Sequence, residues 1–414
     1  MLEIAATCLV VTALLAYVNH RFVGLPTAIG VMATALVVSL ALVGLDSIGF
    51  AHGLHDYEES LLRSIDFSDV VMQGMLSMLL FAGALHVDLT ELKAYRWQVG
   101  VLAVIGTLLS TAAVGLGLWL ALPLVGLHLP VLYCFVFGAL ISPTDPIAVM
   151  GILSAAKAPK NLKLVIVGES LFNDGVGVVV FAILGGIAVS GVVPGPAQTL
   201  QLALREAGGG LLFGLVLGYV LFRLLKSVDN YTVEVLLTLA AVTGGYAAAS
   251  RLHVSGPLAM VVTGLVVGNQ GRALAMSDTT RRYVDMFWEL LDEMLNAILF
   301  VLMGMQVLQV PFSATVLAAG GVAILVTLMA RLLTVGMPVG LLRAAFDLPR
   351  GSWKALTWGG LRGGISVALV LSLPAGGERD ALLAMTYCVV VFSILVQGLT
   401  IGAVVRGPRD ARAS

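Results

Sequence analysis

Long apolar stretches, separated by short groups of polar and charged residues, run along almost the whole sequence. A helix needs about 20 such residues to cross the hydrocarbon core of a bilayer, because each residue adds roughly 1.5 Å of rise. At that length the pattern predicts about thirteen membrane-spanning helices. The predicted spans lie near residues 2–18, 24–45, 68–87, 98–122, 130–156, 164–190, 204–225, 232–250, 254–268, 286–308, 313–342, 353–373 and 381–404. The chain is therefore predicted to be an all-α integral membrane protein.

The composition excludes a water-soluble domain. Hydrophobic residues make up 59% of the 414 residues and charged residues only 11%, whereas a soluble domain carries about 25% charged residues. The cysteines Cys8, Cys134 and Cys388 lie inside apolar runs without disulfide or metal-site spacing, so we interpret them as small buried hydrophobes. Membrane lipid is the expected surrounding partner, and nothing in the sequence indicates a cofactor or a nucleic-acid partner.

Most of the 23 Lys and Arg residues fall in alternate loops between the predicted spans and in the C-terminal tail. The intervening loops hold only Arg63, Arg205, Arg251 and Arg379. Cytoplasmic loops carry an excess of positive charge in membrane proteins. This distribution predicts a multi-pass protein of the inner cell membrane, with its N-terminus outside and its C-terminus in the cytoplasm.

Two predicted spans contain sequences that break a helix in mid-membrane. Span five contains ISPTDPIAV at residues 141–149, with two prolines, and span twelve contains WGGLRGGIS at residues 358–366, with four glycines. Proline removes a backbone donor and clashes with the preceding turn. Span five is the fifth span of the chain, and span twelve is the fifth counted from span eight. Interruptions at matching positions of two halves indicate a transporter site between inverted repeats.

Five charged residues fall deep inside the predicted spans. Asp174 is about 15 Å deep at 1.5 Å per residue, and Asp145 lies at a similar depth. Arg331 and Arg362 lie about eleven and nine residues from the cytoplasmic ends of their spans, and Glu169 is shallower, at about 9 Å. A single charge at such a depth costs several kcal/mol, so we expect these groups to face one another or water.

The residues around the first interruption offer oxygen ligands. Ser170 and Asp174 share one face of span six, beside the unwound Thr144 and Asp145. Their carboxylates, hydroxyls and freed carbonyls suit a small hard cation. Removing a carboxylate from water disfavours its charged form, so a proton and a cation compete for the same oxygen. That competition predicts antiport; the alternative is that the two aspartates only satisfy helix-packing partners.

The motifs GESLFNDG (168–175), ISPTDP (141–146) and GLRGG (360–364) occur in this order along the chain. With them the sequence resembles the NhaP-type cation/proton antiporters and the animal sodium/hydrogen exchangers, over essentially its whole membrane part. The resemblance implies an inverted-repeat fold and a homodimer, in which a core bundle moves against a dimerisation domain. Under it the dimerisation part covers approximately 1–88 and 204–308, and the ion-binding core covers approximately 98–190 and 312–404.

The resemblance also implies roles for individual residues. Asp174 matches the carboxylate that carries both the ion and the proton, and Thr144, Asp145 and Ser170 match the positions that coordinate Na⁺ with it. Asn173 stands where electrogenic relatives carry a second aspartate, which implies electroneutral one-for-one exchange.

The resemblance implies a charged pair as well. Glu169 matches a glutamate that pairs with an arginine, here Arg331, and Arg362 matches another functional arginine. Because both arginines lie at comparable depth, Arg362 remains an alternative partner of Glu169. Some relatives carry an acidic residue in span three, where this chain reads LLFAGALHVDL (79–89). If Ala82 or a neighbour stands at that place, this extra ion ligand is missing and the ion preference differs.

A group of acidic residues lies at the start of span ten, namely Asp285, Glu289, Asp292 and Glu293. These residues form either a cation-concentrating funnel on the cytoplasmic side or a solvated helix face.

Three other functions compete with a sodium/proton antiporter. An antiporter for K⁺ or Li⁺ stays open, because the same oxygens can serve another monovalent ion. A cation channel subunit needs weak sites and no buried ion pair. An intramembrane enzyme is disfavoured, because Ser170 and Glu169 have no histidine or lysine base at comparable depth.

Overall fold

The computed structural model describes residues 2–47, 70–145, 149–150, 153, 158–305, 313–342, 346–349 and 351–410, which contain helices and no strand. The main helices are α1 (Leu2–Val18), α2 (Thr27–Ser47), α3 (Leu76–Leu85), α4 (Arg96–Val125), α5 (Val131–Ile141), α6 (Lys160–Ser190), α7 (Pro196–Leu225), α8 (Tyr231–Arg251), α9 (Gly256–Val266), α10 (Asp278–Met305), α11 (Ala314–Leu341), α12 (Ser352–Trp358), α13 (Gly364–Leu371) and α14 (Gly377–Val405). A short helix, Leu89–Ala94, precedes α4.

Seven helices in the described part of the chain are long and apolar enough to cross a membrane: Ala6–Val23, which extends α1, and α4, α6, α7, α8, α11 and α14. Shorter apolar helices occur at Ile29–Ala41, Leu76–Leu85 and Val131–Ile141. The prediction of an all-helical membrane protein is confirmed. The count of thirteen spans stays a prediction, although the described residues of each predicted span are largely helical.

Apolar side chains also cover much of the outer surface. Leu14, Leu212 and Leu325 are each exposed by 59% or more. A water-soluble monomer rarely leaves large continuous apolar patches uncovered. These side chains are therefore suited to contact with lipid hydrocarbon.

The two helix-breaking sequences lie against each other. Helix α5 ends at Ile141 and residues 142–145 are not helical, while α12 ends at Trp358 and α13 begins only at Gly364. The Asp145 N–H donates to the carbonyl of Leu361 at 2.8 Å. Backbone groups freed by one interruption are thus partly satisfied by the other, as they must be away from water.

Helix α6 can approach the first interruption because it carries glycine at the contact. A Cβ at Gly177 would lie 2.1 Å from Cγ of Pro143, and a proline ring cannot turn away. Any side chain larger than hydrogen at this position would push α6 away from the interruption.

Two large groups of buried apolar side chains hold the helices together. One joins α4, α5, α6, α11, α13 and α14, but it also includes Ile29 of α2 and Phe300 of α10. The other joins α3, α7, α8 and α9 with Trp288 of α10. This arrangement resembles the predicted division into core and dimerisation parts, but α3, α4, α6 and α10 contribute residues to both groups, so the division stays a prediction.

Candidate functional site

The candidate site lies where α6 crosses the two helix interruptions. Four of its residues are at most 5% exposed: Thr144, Ser170, Asn173 and Asp174. Asp145 is half-buried. The sequence places these five residues in two separate segments, and the fold brings the segments together.

Thr144 is the centre of a hydrogen-bonded group. Its Oγ1 lies 2.9 Å from Oγ of Ser170 and accepts a hydrogen bond from Nδ2 of Asn173 at 2.9 Å. The Thr144 N–H donates to Oδ1 of Asn173 at 3.2 Å. Asn173 thus contacts Thr144 through both its amide oxygen and its amide nitrogen. These two hydrogen bonds clamp α6 to the unwound segment.

Arg362 holds the end of α5 from the opposite interruption. Its Nη1 donates to the carbonyls of Ser142 and Pro143 at 2.8 and 2.9 Å, and its own N–H donates to Oγ of Ser393 at 2.9 Å. These carbonyls belong to the end of a broken helix and have lost their partners within α5. The buried guanidinium therefore supplies hydrogen bonds and positive charge beside the aspartates.

A cavity of about 90 Å³ opens next to this group. Carboxylates from three parts of the fold line it: Asp174 from α6, Asp145 from the first interruption and Asp292 from α10. Apart from Asn296 and Ser366, the remaining lining residues are apolar, proline or glycine. The cavity has room for several water molecules or for a partly hydrated ion.

Glu169 and Arg331 form a buried ion pair between α6 and α11. Both guanidinium Nη atoms contact the carboxylate, with Nη2 to Oε2 at 3.0 Å, and the two side chains are 1% and 8% exposed. The Nε of Arg331 donates to the carbonyl of Leu356 at 3.2 Å, which ties α12 to the pair. Of the two arginines left open by the sequence, Arg331 is the one that contacts Glu169.

The structure separates the four acidic residues of α10. Asp285 pairs with Arg272, Glu289 and Glu293 are exposed, and only Asp292 lines the cavity. A funnel formed by all four acids therefore stays a prediction, with Asp292 as the member that reaches the candidate site.

Sequence reasoning missed Asn296. This residue is 4% exposed and lines the cavity; its Nδ2 donates to the carbonyl of Asp292 at 2.8 Å, and its Oδ1 has no hydrogen-bond partner among the described residues. The available signal was its position four residues after Asp292, on the same helix face. On α3 the cavity is lined by residues such as Leu80 and Gly83 rather than by Ala82, and none of the α3 residues that line it is acidic.

Comparison with known proteins extends over the whole fold. The family model for "Sodium/hydrogen exchanger, transmembrane" matches residues 10–407. The Na(+)/H(+) antiporter NhaP of Pseudomonas aeruginosa is 54% identical over 414 residues, covering 98% of this chain and 96% of the relative. The Na(+)/H(+) antiporter NhaH of Halobacillus dabanensis is 33% identical over 376 residues, 90% of each chain. The structure of the sodium proton antiporter MjNhaP1 from Methanocaldococcus jannaschii at pH 8 superposes with a TM-score of 0.76 at 18% identity, covering 97% of both chains; it shows the fold alone.

Proposed function

The chain belongs to the transmembrane sodium/hydrogen exchanger family, and from this premise we propose that it is a secondary active antiporter exchanging sodium ions for protons. The family is one of transporters rather than enzymes, and the relatives compared above are named Na(+)/H(+) antiporters. These names favour sodium over the potassium alternative. Exchange rather than a channel is also favoured, because the buried Glu169–Arg331 pair has no evident purpose in a simple pore.

The observation that carries the proposal is the position of Asp174. Asp174 is 5% exposed and lines a cavity that it shares with Asp145, while Arg362 is buried beside the same helix interruption. A carboxylate in such a place is costly as a bare anion. Binding either a proton or a sodium ion removes that cost, so the two compete for Asp174 and only one is carried at a time.

The chemistry of the neighbouring side chains supports an assignment of the remaining ligands. We assign the sodium ion to oxygens of Asp174, Asp145, Ser170 and Thr144, which are hard ligands. Because Oγ1 of Thr144 already accepts from Asn173, we assign Thr144 as the donor to Ser170, which leaves one lone pair on each hydroxyl oxygen for an ion. Asn173 holds Thr144 in place. Glu169 and Arg331 hold α6 against α11 without carrying the ion.

One dominant carboxylate that alternates between two partners of charge +1 makes the exchange electroneutral, with one proton for each sodium ion. Arginine side chains stay protonated in proteins, so we assign a second transported proton to neither Arg331 nor Arg362. Alternating access would follow from movement of the core bundle against the dimerisation part within a homodimer. The proposed setting is the inner cell membrane, with the C-terminus in the cytoplasm.

Purified protein in proteoliposomes with an enclosed pH dye tests this function. We expect added Na⁺ to dissipate a preformed pH gradient, with Li⁺ as a second substrate and K⁺ much weaker. A larger response to K⁺ than to Na⁺ would contradict the sodium assignment. Current carried by Na⁺ without a counter-moving proton would instead indicate a channel.

A further inference from the structure

A second, larger cavity lies away from the proposed ion site. It is a groove of about 680 Å³ on the flank of the molecule, lined by α4, α6 and α7, and we call it the lateral groove. Its walls include Ala103 and Val104 of α4, Val179 of α6 and Leu211 of α7. Arg96 and Leu108, which both line it, are twelve residues apart on α4, so the groove extends for about 18 Å.

The lining is apolar except at one end, where the groove reaches Lys93 and Arg96. Both side chains are exposed, and neither has an ion pair or hydrogen bond with another side chain in the described part of the chain. Nearby acids are already engaged: Glu91 pairs with Lys160, and Asp88 accepts N–H groups of the helix Leu89–Ala94. The two cations are therefore available to an anion from outside the chain.

Trp97 follows Arg96 directly and is 74% exposed. Exposed tryptophans of membrane proteins concentrate at the level of the lipid headgroups. The cationic end of the groove thus lies at headgroup depth, and the apolar part extends from there along α4 into the hydrocarbon region.

We propose that the lateral groove binds an anionic phospholipid, with its phosphate between Lys93 and Arg96 and an acyl chain along α4. Hydrocarbon gains little by moving from bulk lipid into an apolar groove, because lipid tails are as apolar as leucine. Selectivity therefore comes from the two cations. Each basic residue near the membrane surface contributes about 1 kcal/mol toward anionic lipid, and the two together convert to roughly 30-fold at 1.4 kcal/mol per tenfold.

A lipid in the lateral groove can affect transport, but the lipid proposal does not depend on the proposed exchange function. The groove touches α6, which carries Asp174, and it also touches α7 and Leu258 of α9. A bound lipid would therefore contact both groups of helices that the proposed mechanism moves relative to each other. Lipid binding can be measured whether or not the protein exchanges sodium.

Two variants test the two halves of the site. Lys93→Gln/Arg96→Gln removes the headgroup contacts. Gly100→Leu fills the apolar part, because a Cβ at Gly100 meets no atom within 4 Å and the added side chain enters open space. The matched control is Arg223→Gln/Lys226→Gln, which removes two exposed cations near the end of α7 that do not line the groove.

The assay is titration of the delipidated full-length protein with dioleoylphosphatidylglycerol or dioleoylphosphatidylcholine, followed by native mass spectrometry. We expect wild type to bind phosphatidylglycerol roughly 30-fold more tightly than the Lys93/Arg96 variant does. Gly100→Leu should also lose binding, and the control should match wild type. Equal binding of both lipids by wild type would overturn the proposal. An equal loss in the control, or full binding by Gly100→Leu, would also overturn it, because the lipid would then be held by surface charge rather than by the groove.

Discussion

The ion pair between Glu169 and Arg331 makes a quantitative prediction about stability. Glu169→Gln and Arg331→Ala each leave the remaining charge buried, because the two side chains are only 1% and 8% exposed. Removing one partner of such a pair typically costs about 3–5 kcal/mol. Arg331→Ala also loses the hydrogen bond to the Leu356 carbonyl, so it should lie at the upper end of that range.

Thermal unfolding in detergent measures this cost. With an unfolding entropy of about 2.1 cal/mol/K per residue over 414 residues, each kcal/mol shifts Tm by roughly 1 °C, so each variant should melt roughly 3–6 °C below wild type. The double variant should melt higher than the sum of the two single losses predicts, because no unpaired charge is left. Glu289→Gln, an exposed acid on α10, is the control and should melt like wild type. Single variants as stable as wild type, or strictly additive losses in the double variant, would refute this reasoning.

Three further outcomes are expected in proteoliposomes. Asp292→Asn should raise the KM for Na⁺ several-fold with little change in kcat, whereas Glu289→Gln on the same helix should not; an unchanged KM would remove Asp292 from the ion path. Asn173→Ala should lower exchange at least about tenfold, because it breaks two hydrogen bonds to Thr144 worth about 1 kcal/mol each; near-normal flux would show that no clamp is needed. An imposed potassium-diffusion potential should leave the initial rate of sodium efflux unchanged, and acceleration would refute electroneutral exchange.

The helix interruptions could be predicted from the sequence, because proline and glycine disfavour a helix through their effect on the adjacent backbone. Pro143 removes a backbone donor in any fold, and three of the five residues between Trp358 and Gly364 are glycines, which disfavour a continuous helix. The oxygen-bearing residues of GESLFNDG could also be predicted to share faces of α6, because the spacing of a helix fixes them.

The contacts between side chains of different helices could not be predicted in the same way. Depth in the membrane can be counted along the chain, but Arg331 and Arg362 lie at comparable depths, and the direction in which each points depends on packing. The acids of α10 illustrate the same limit. Their spacing did not reveal that Asp285 would be paired with Arg272 while Asp292, with Asn296 one turn later, would face the cavity.

Sodium-driven proton flux through Asp174→Asn is the most direct test of the central claim. The variant should be reconstituted at the same protein density as wild type, with Glu293→Gln, an exposed acid of α10, as the matched control. We predict that Asp174→Asn melts no lower than wild type and yet shows no Na⁺-dependent dissipation of the pH gradient, while the control exchanges normally. Substantial sodium-driven proton flux through Asp174→Asn would show that another group carries the ion and the proton.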